Sequence, residues 1–282
     1  LVSSTGVIGV RLPIETIERG ISGMTHDLLS DPLVGAEGIM TTDTHPKALS
    51  TSVGDATITW VAKGSGMIEP NMATMLAYIF TDAAIDAPTL DGLLREAVDV
   101  SFNMLSVDSD TSTSDTCVIL ANGHAGVVDM DAFRSALIAG CVRMAETLAR
   151  DGEGATRLLR VIVRGASNAV EARRIAKSIV NSPLIKTMVH GADPNVGRIL
   201  MAVGKCVDCT LIPERTDAWI CGCAVLRNGQ RLDFDEAHVR AVLGGETVDI
   251  EVALGVGEGK ATAYGCDLTK GYIDENAAYY SS

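Results

Sequence analysis

Aromatic side chains are scarce in this sequence, at 4% of 282 residues. The hydrophobic share of 47% therefore rests on Ala, Val, Ile, Leu and Met, and with 28 glycines it points to an α/β protein with an aliphatic core. Basic residues are few beside acidic ones, 23 Lys and Arg against 36 Asp and Glu, a formal net charge of −13. Such a chain repels phosphate backbones, which excludes nucleic acid and anionic membranes as partners. No apolar run reaches the ~18 residues of a membrane span. Residues 1–15 lack the basic-then-apolar layout of a secretion signal, and the expectation is a cytoplasmic protein. There is no linker rich in Pro or Ser and no internal repeat, so compact structure is expected throughout a chain long enough for one domain or two.

Hydrophobic periodicity alternates between strand and helix. It predicts strands at 5–10 and 56–63, a helix at 13–29 opened by Pro13, and a strand after Thr74. A helix at 88–105, a strand at 115–121, a helix at 130–150 and a strand at 158–164 come next. Beyond them are helices at 167–180 and near 194–204, then strands from 207 to 265 broken by a helix at 235–243. Asn228-Gly229 between apolar flanks is a hairpin turn. Helices alternating with short apolar strands imply layered α/β packing.

The densest chemical signal is KGSGMIEPNMATML at 63–76. A hydroxyl at Thr74 can attack the carbonyl of Ala73. The freed residue would then carry a nucleophilic oxygen together with an α-amine that titrates near ~8 and can act as its base. Gly64, Gly66, Pro70 and Asn71 bend the chain around that peptide and can strain it. Read locally, Thr74 is equally a cap for a helix starting near Met75.

Other stretches settle between these. VSSTGVIGVRLPIE at 2–15, GIMTTDTHPK at 38–47, SFNMLSVDSDTSTSDT at 101–116, DGEGATRL at 151–158, KSIVNSPLIKTMVHGADPNVGRI at 177–199 and YGCDLTKGYIDENAAYYSS at 264–282 occur in an order and form that resembles the ornithine acetyltransferase (glutamate N-acetyltransferase) family from end to end. The resemblance implies a layered helix and mixed-sheet sandwich of the ornithine acetyltransferase and aminopeptidase type. It also implies transfer of an acetyl group from N-acetylornithine to glutamate through an acetyl ester on Thr74, in arginine biosynthesis, without a cofactor or metal. Self-cleavage between Ala73 and Thr74 would divide the chain into the end of an α chain, 1–73, and a β chain, 74–282, assembled as an oligomer of αβ units. In the family a segment precedes the position of Leu1 and carries the Thr-Gly pair that holds the oxyanion. The chain is therefore expected to be part of a longer polypeptide, and Thr5-Gly6 belongs to a different motif.

By the same resemblance Lys63, eleven residues before Thr74, would pair with a substrate α-carboxylate. Thr41 matches a substrate-binding threonine, with Thr42 as the alternative. Glu153, between two glycines, would take the substrate's amino group. Asn276 and Ser281, five residues apart, would close over it. Asp108, Asp110, Asp115 and the hydroxyls of 111–116 lack the glycine and terminal glutamate of a calcium loop and read as a hydrogen-bonded turn beside the site. His190, Asp193 and Asn195 have no nucleophile elbow to serve, so His190 reads as structural. Residues 181–198 form a wall near the nucleophile, with Val196 where many relatives carry Trp. Ser114, where many relatives carry Asn, leaves room for a paralogue of secondary metabolism.

Two further readings stand beside transfer. The same machinery with water as acceptor is an amidohydrolase or aminopeptidase. Cys206-x-x-Cys209 with Cys221-x-Cys223 could make a zinc-ribbon-like binding module, although the spacing is imperfect and no His lies near. The odd total of seven cysteines fits reduced thiols.

Overall fold

The computed structural model describes residues 3–69 and 75–277. In chain order these form α1 (Ile14–Ile21), α2 (Pro32–Gly38), β1 (Lys47–Val53), β2 (Ala56–Lys63), β3 (Leu76–Ala83), α3 (Ala87–Val100), β4 (Thr116–Gly126), α4 (Met130–Arg150) and β5 (Leu158–Ala166). Then come α5 (Ala169–Val180), α6 (Pro183–His190), α7 (Gly197–Gly204), β6 (Asp217–Ile220), β7 (Cys223–Arg227), β8 (Gln230–Arg231), α8 (Glu236–Leu243), β9 (Thr247–Ala253), β10 (Gly259–Cys266) and α9 (Lys270–Ala277). The strands make two mixed sheets, one in the order β1-β2-β3-β4 and one in the order β10-β5-β9-β6-β7-β8. The first is antiparallel up to β3 and parallel between β3 and β4, with α3 as the crossover.

Side-chain caps set the helix starts. Asp86 accepts from the Thr89 amide at 3.0 Å to open α3, Asp129 from Ala132 at 2.8 Å for α4, and Asn168 from Glu171 at 3.0 Å for α5. Along α4 the buried residues Phe133, Leu137, Cys141, Met144, Ala145 and Leu148 recur every three or four positions. That stripe packs against β1 and β2 of one sheet and β5 and β10 of the other, so α4 joins the two sheets into one core. Truncating a fully buried member such as Leu137 to Ala would cost about 2–5 kcal/mol. Helix α5 covers β5 and β10.

Several sequence expectations give way here. Residues 5–10 form no strand, since Gly6 and Gly9 interrupt the run and no described strand of either sheet pairs with it. The helix expected over 13–29 stops at Ile21, because Ser22 is extended and Gly23 left-handed. The helix of 88–105 ends at Val100, and a short 3₁₀ turn over Phe102–Met104 takes its last residues. Residues 207–216 carry a 3₁₀ turn at Pro213–Arg215 in place of a strand. The alternation across 219–225 is broken by a two-residue turn at Cys221 and Gly222, with Ile220 facing Cys223. The Asn228-Gly229 turn is present, with Arg227 opposite Gln230. Met75 leads into strand β3 and not into a helix, which removes the capping reading of Thr74.

The seven cysteines are free. Cys206 and Cys209 follow α7, Cys221 and Cys223 straddle the β6–β7 turn, and among the described residues no three or more His, Cys, Asp or Glu are grouped to hold a metal. No helix among them is long and apolar enough to cross a membrane.

Candidate active site

A buried ion network organises one end of the four-stranded sheet. Lys47, fully buried at the start of β1, donates to Asp43 Oδ1 at 2.6 Å and to Asp151 Oδ2 at 2.5 Å. Asp43 also accepts from the Gly64 amide at 2.7 Å and the Thr41 amide at 3.2 Å, and Asp151 from the Thr44 amide at 3.0 Å. Burial opposes the charge on Asp43, yet the Gly64 amide, the Lys47 ammonium and the Thr41 amide outweigh it and hold the carboxyl below its ordinary value. The network pins the loop before β1, the end of β2 and the end of α4 to one another.

Each pinned element presents a polar group to the same cavity. It measures about 310 Å³, and its lining includes Thr5, Gly6, Thr41, Thr42, Lys63, Glu153, Ser112, Ser114 and Asn276. Lys63, the last residue of β2, is buried and donates to Thr5 Oγ1 at 3.0 Å and to Thr41 Oγ1 at 3.3 Å. Burial pulls its ammonium below the usual lysine range, against the pull of Asp43 and Asp115. Glu153 hangs from the turn after α4: Oε1 accepts from Thr42 Oγ1 at 2.8 Å and Oε2 from Asn276 Nδ2 at 2.7 Å. Thr42 also shares a hydrogen bond of 2.5 Å with Ser65 Oγ. A cation and an anion thus face one small cavity, held by neutral groups and not by each other.

Glycine makes this placement possible at two points. A Cβ on Gly66 would collide with the Glu153 carboxylate, and a Cβ on Gly154, which stands at φ +65°, would collide with the backbone of Gly271 and Tyr272. The glycine beside Glu153 therefore lets α9 approach near enough for Asn276 to bond it.

The sequence run of 63–76 enters the site from both ends. Asp108 accepts from the Met67 and Ile68 amides at 2.6 and 2.9 Å, and Met67 sits at φ +51°, a left-handed conformation that is costly for a side chain of its size. Downstream, the Met75 carbonyl accepts from the Thr116 amide at 2.9 Å, and Leu76 pairs with Lys63. Thr74 and Ala73 lie outside the described residues, as does Ser281.

A larger hollow of about 880 Å³ lies between residues 24–39 and strands β1 to β3, lined by Leu28, Leu29, Val34, Tyr78 and Phe80. Its described lining presents no lysine or arginine, so the smaller cavity is the one equipped for a charged substrate.

Comparison with known proteins decides the family. The ArgJ family model matches residues 1–281. The chain belongs to the ArgJ family. It is 49% identical over 280 residues to the protein named Arginine biosynthesis bifunctional protein ArgJ 2 of Nostoc, covering 99% of this chain and 72% of that one. It is 44% identical over 285 residues to Glutamate N-acetyltransferase Oat2 of Streptomyces clavuligerus, with coverage of 99% and 72%. The crystal structure of Arginine biosynthesis bifunctional protein argJ from Bacillus halodurans aligns with a TM-score of 0.70 at 41% identity, over 73% of this chain and 100% of that one.

In this ArgJ-family chain the structure brings Thr41, Lys63, Glu153 and Asn276 around one cavity, and Thr42 with them. Nothing in the sequence marks Ser65, and Thr5-Gly6 reads there as a different motif. Both residues of that pair line the cavity, and Thr5 bonds Lys63. Asp108 holds a turn as expected, whereas both carboxylate oxygens of Asp115 are buried without a hydrogen-bond partner among the described residues. His190 bonds Asp267 at 3.1 Å; Asp267 also holds the Thr156 and Arg157 amides, which makes the pair part of the scaffold.

Proposed function

We propose that this ArgJ-family protein transfers an acetyl group from N-acetyl-L-ornithine to L-glutamate through an acetyl ester on Thr74, after cutting itself between Ala73 and Thr74. The observation that carries the reading is the convergence of Lys63 and Glu153 on one cavity at the end of β2, opposite the start of the strand that Thr74 precedes. A small zwitterion with a further charge needs both signs in one place. Lys63 meets the α-carboxylate that donor and acceptor share. Glu153, fixed at both oxygens by Thr42 and Asn276, receives the donor's free ammonium.

The chemistry then follows from one residue with two functions. The Thr74 α-amine takes the proton of its own hydroxyl, Oγ attacks the acetyl carbonyl, and ornithine leaves with that proton on its nitrogen. Glutamate enters the same pocket, its amine attacks the ester carbonyl, the C–O bond to Thr74 breaks, and the proton lost by that amine passes through the Thr74 α-amine to Oγ. In this reading the oxyanion donors are Thr5 and Gly6 of the cavity wall, in place of the pair expected upstream of Leu1: Lys63 donates into Thr5 Oγ1, which leaves the hydroxyl proton of Thr5 to point elsewhere. The relative named Glutamate N-acetyltransferase supports the assignment of the acceptor. A solved family chain covered in full by 73% of this one supports the cut, since residues 74–282 form about that share.

Two measurements test this. Mass spectrometry of the denatured protein is expected to show a piece beginning Thr-Met-Leu, and Thr74→Ala is expected to give an uncut, folded, inactive protein. Labelled N-acetylornithine without glutamate is expected to leave label on the peptide that begins at Thr74, and glutamate to discharge it as N-acetylglutamate. Acetate release at one rate with and without glutamate would make the protein a hydrolase.

A further inference from the structure

Two donors reach the Glu153 carboxylate, and a third residue stands behind one of them. Oε2 accepts from Asn276 Nδ2 at 2.7 Å and Oε1 from Thr42 Oγ1 at 2.8 Å. An ionised carboxylate only accepts, so the single proton of the Thr42 hydroxyl is committed to Oε1. The 2.5 Å bond between Thr42 Oγ1 and Ser65 Oγ then has one direction: Ser65 donates and Thr42 accepts. Ser65 is buried, which keeps its hydroxyl on Thr42 and away from solvent.

The residues on either side hold Ser65 in register. The Gly64 amide is anchored on Asp43 Oδ1 at 2.7 Å, and Gly66 has no Cβ to strike the Glu153 carboxylate. The Ser65 carbonyl also accepts from the Glu153 amide at 2.8 Å. One serine thus grips Glu153 at two levels, directly at its main chain and through Thr42 at its carboxylate. The described lining of the cavity leaves Ser65 out, so its influence on a ligand passes through those two neighbours.

We propose that Ser65 is a positioning residue that sets the cavity's preference for a cationic ligand end; the inference rests on Glu153 receiving the donor's ammonium. Both hydroxyl protons of the chain Ser65 to Thr42 to Glu153 run toward the carboxylate. Each bond polarises the next, which strengthens the hold on Oε1. Thr42 and Asn276 occupy one site on each oxygen, and the remaining lone pairs are left to the ligand. A ligand end that meets them must itself donate. An ammonium does so with its charge, whereas a methyl group leaves the acceptors empty and the carboxylate desolvated.

The test is steady-state kinetics of the full-length enzyme with N-acetylornithine as donor and N-acetylnorvaline, its uncharged analogue ending in a methyl group, as competitor. Ser65→Ala is expected to raise the KM for N-acetylornithine roughly three- to tenfold, the scale of one hydrogen bond, with kcat little changed. Inhibition by N-acetylnorvaline is expected to stay as it was, so that discrimination between the two ligands narrows by the same factor. Added to Thr42→Val, Ser65→Ala should do nothing more, because the bond it supports is already gone. Added to Asn276→Ala, which acts on the other oxygen, it should multiply the loss. If Ser65→Ala does not melt cooperatively, Ser65→Cys, with a similar volume and a weaker donor, takes its place in the same cycle.

An unchanged KM, a fall in kcat alone, or equal weakening of both ligands overturns the proposal, as does a loss that multiplies with Thr42→Val. When Thr42→Val and Asn276→Ala raise KM and the Ser65 variant does not, only the positioning role falls. When all three leave KM unmoved, Glu153 is not the partner of the ammonium either.

Discussion

Asn276 Nδ2 donates to Glu153 Oε2 at 2.7 Å, so a residue of the last helix fixes a carboxylate presented 123 positions earlier. The other oxygen is held by Thr42. Replacing Asn276 by Ala frees one oxygen while leaving the charge in place. We expect the KM for N-acetylornithine to rise roughly tenfold or more, the scale of one hydrogen bond to a charged group at about 1.5 kcal/mol, with kcat little changed. Steady-state kinetics that leave KM unmoved would remove Asn276 from the substrate site.

Lys63→Met is expected to weaken donor and acceptor alike, since both carry the α-carboxylate, by roughly 2–5 kcal/mol for a desolvated pair. Half-reaction kinetics with each substrate check it. A loss confined to one substrate would place the lysine on a side chain instead.

Lys47→Met probes the scaffold. It leaves Asp43 and Asp151 buried without their shared cation, and about 3–5 kcal/mol of stability should disappear at pH 7. The sign with pH follows from Asp43. Its carboxyl is held below 3.8, so its contribution is present above that value and is lost as pH falls through the depressed one. Urea melts of wild type and variant should differ fully at pH 7 and converge only as pH falls below 3.8, through the depressed value.

The raised value of Asp115 acts in the opposite sense. The folded state keeps a proton between 3.8 and about 7 that the unfolded state releases, so Asp115 removes stability as pH climbs through that window. In an uncut Thr74→Ala background, adding Asp115→Asn should leave stability near pH 4 almost unchanged and raise it at pH 8. Equal melting curves at pH 8 would show that Asp115 is not a desolvated carboxyl.

The elements legible in the sequence are those with local causes. Helix α4 shows in its Asp129 cap and its three-to-four spacing, and the β7–β8 hairpin in Asn228-Gly229. Residues 5–10 have a strand's composition but no described neighbour to pair with, a fact that no local pattern contains. Helix α6, started by Ser182 and Pro183 two residues after α5 ends, goes unread although α7 and α8, each also of eight residues, are read. At the site, Lys63 and Glu153 are legible through a resemblance that spans the chain. Thr5 and Asp115 are not: one is marked only by a bond across 58 positions and the other only by bonds it does not make.

Strands β2 and β3 stand on either side of residues 70–74 and pair along six positions, from Ile58↔Thr81 to Lys63↔Leu76. A backbone severed between them leaves two polypeptides woven into one sheet, with Trp60 of the first lying against Gly140 of the second. They part only by unfolding the sheet they share, so dilution favours their separation but brings it about slowly. Reassembly then becomes a bimolecular event that slows with the square of concentration, so a severed molecule holds a native state that its pieces reach again only by finding each other.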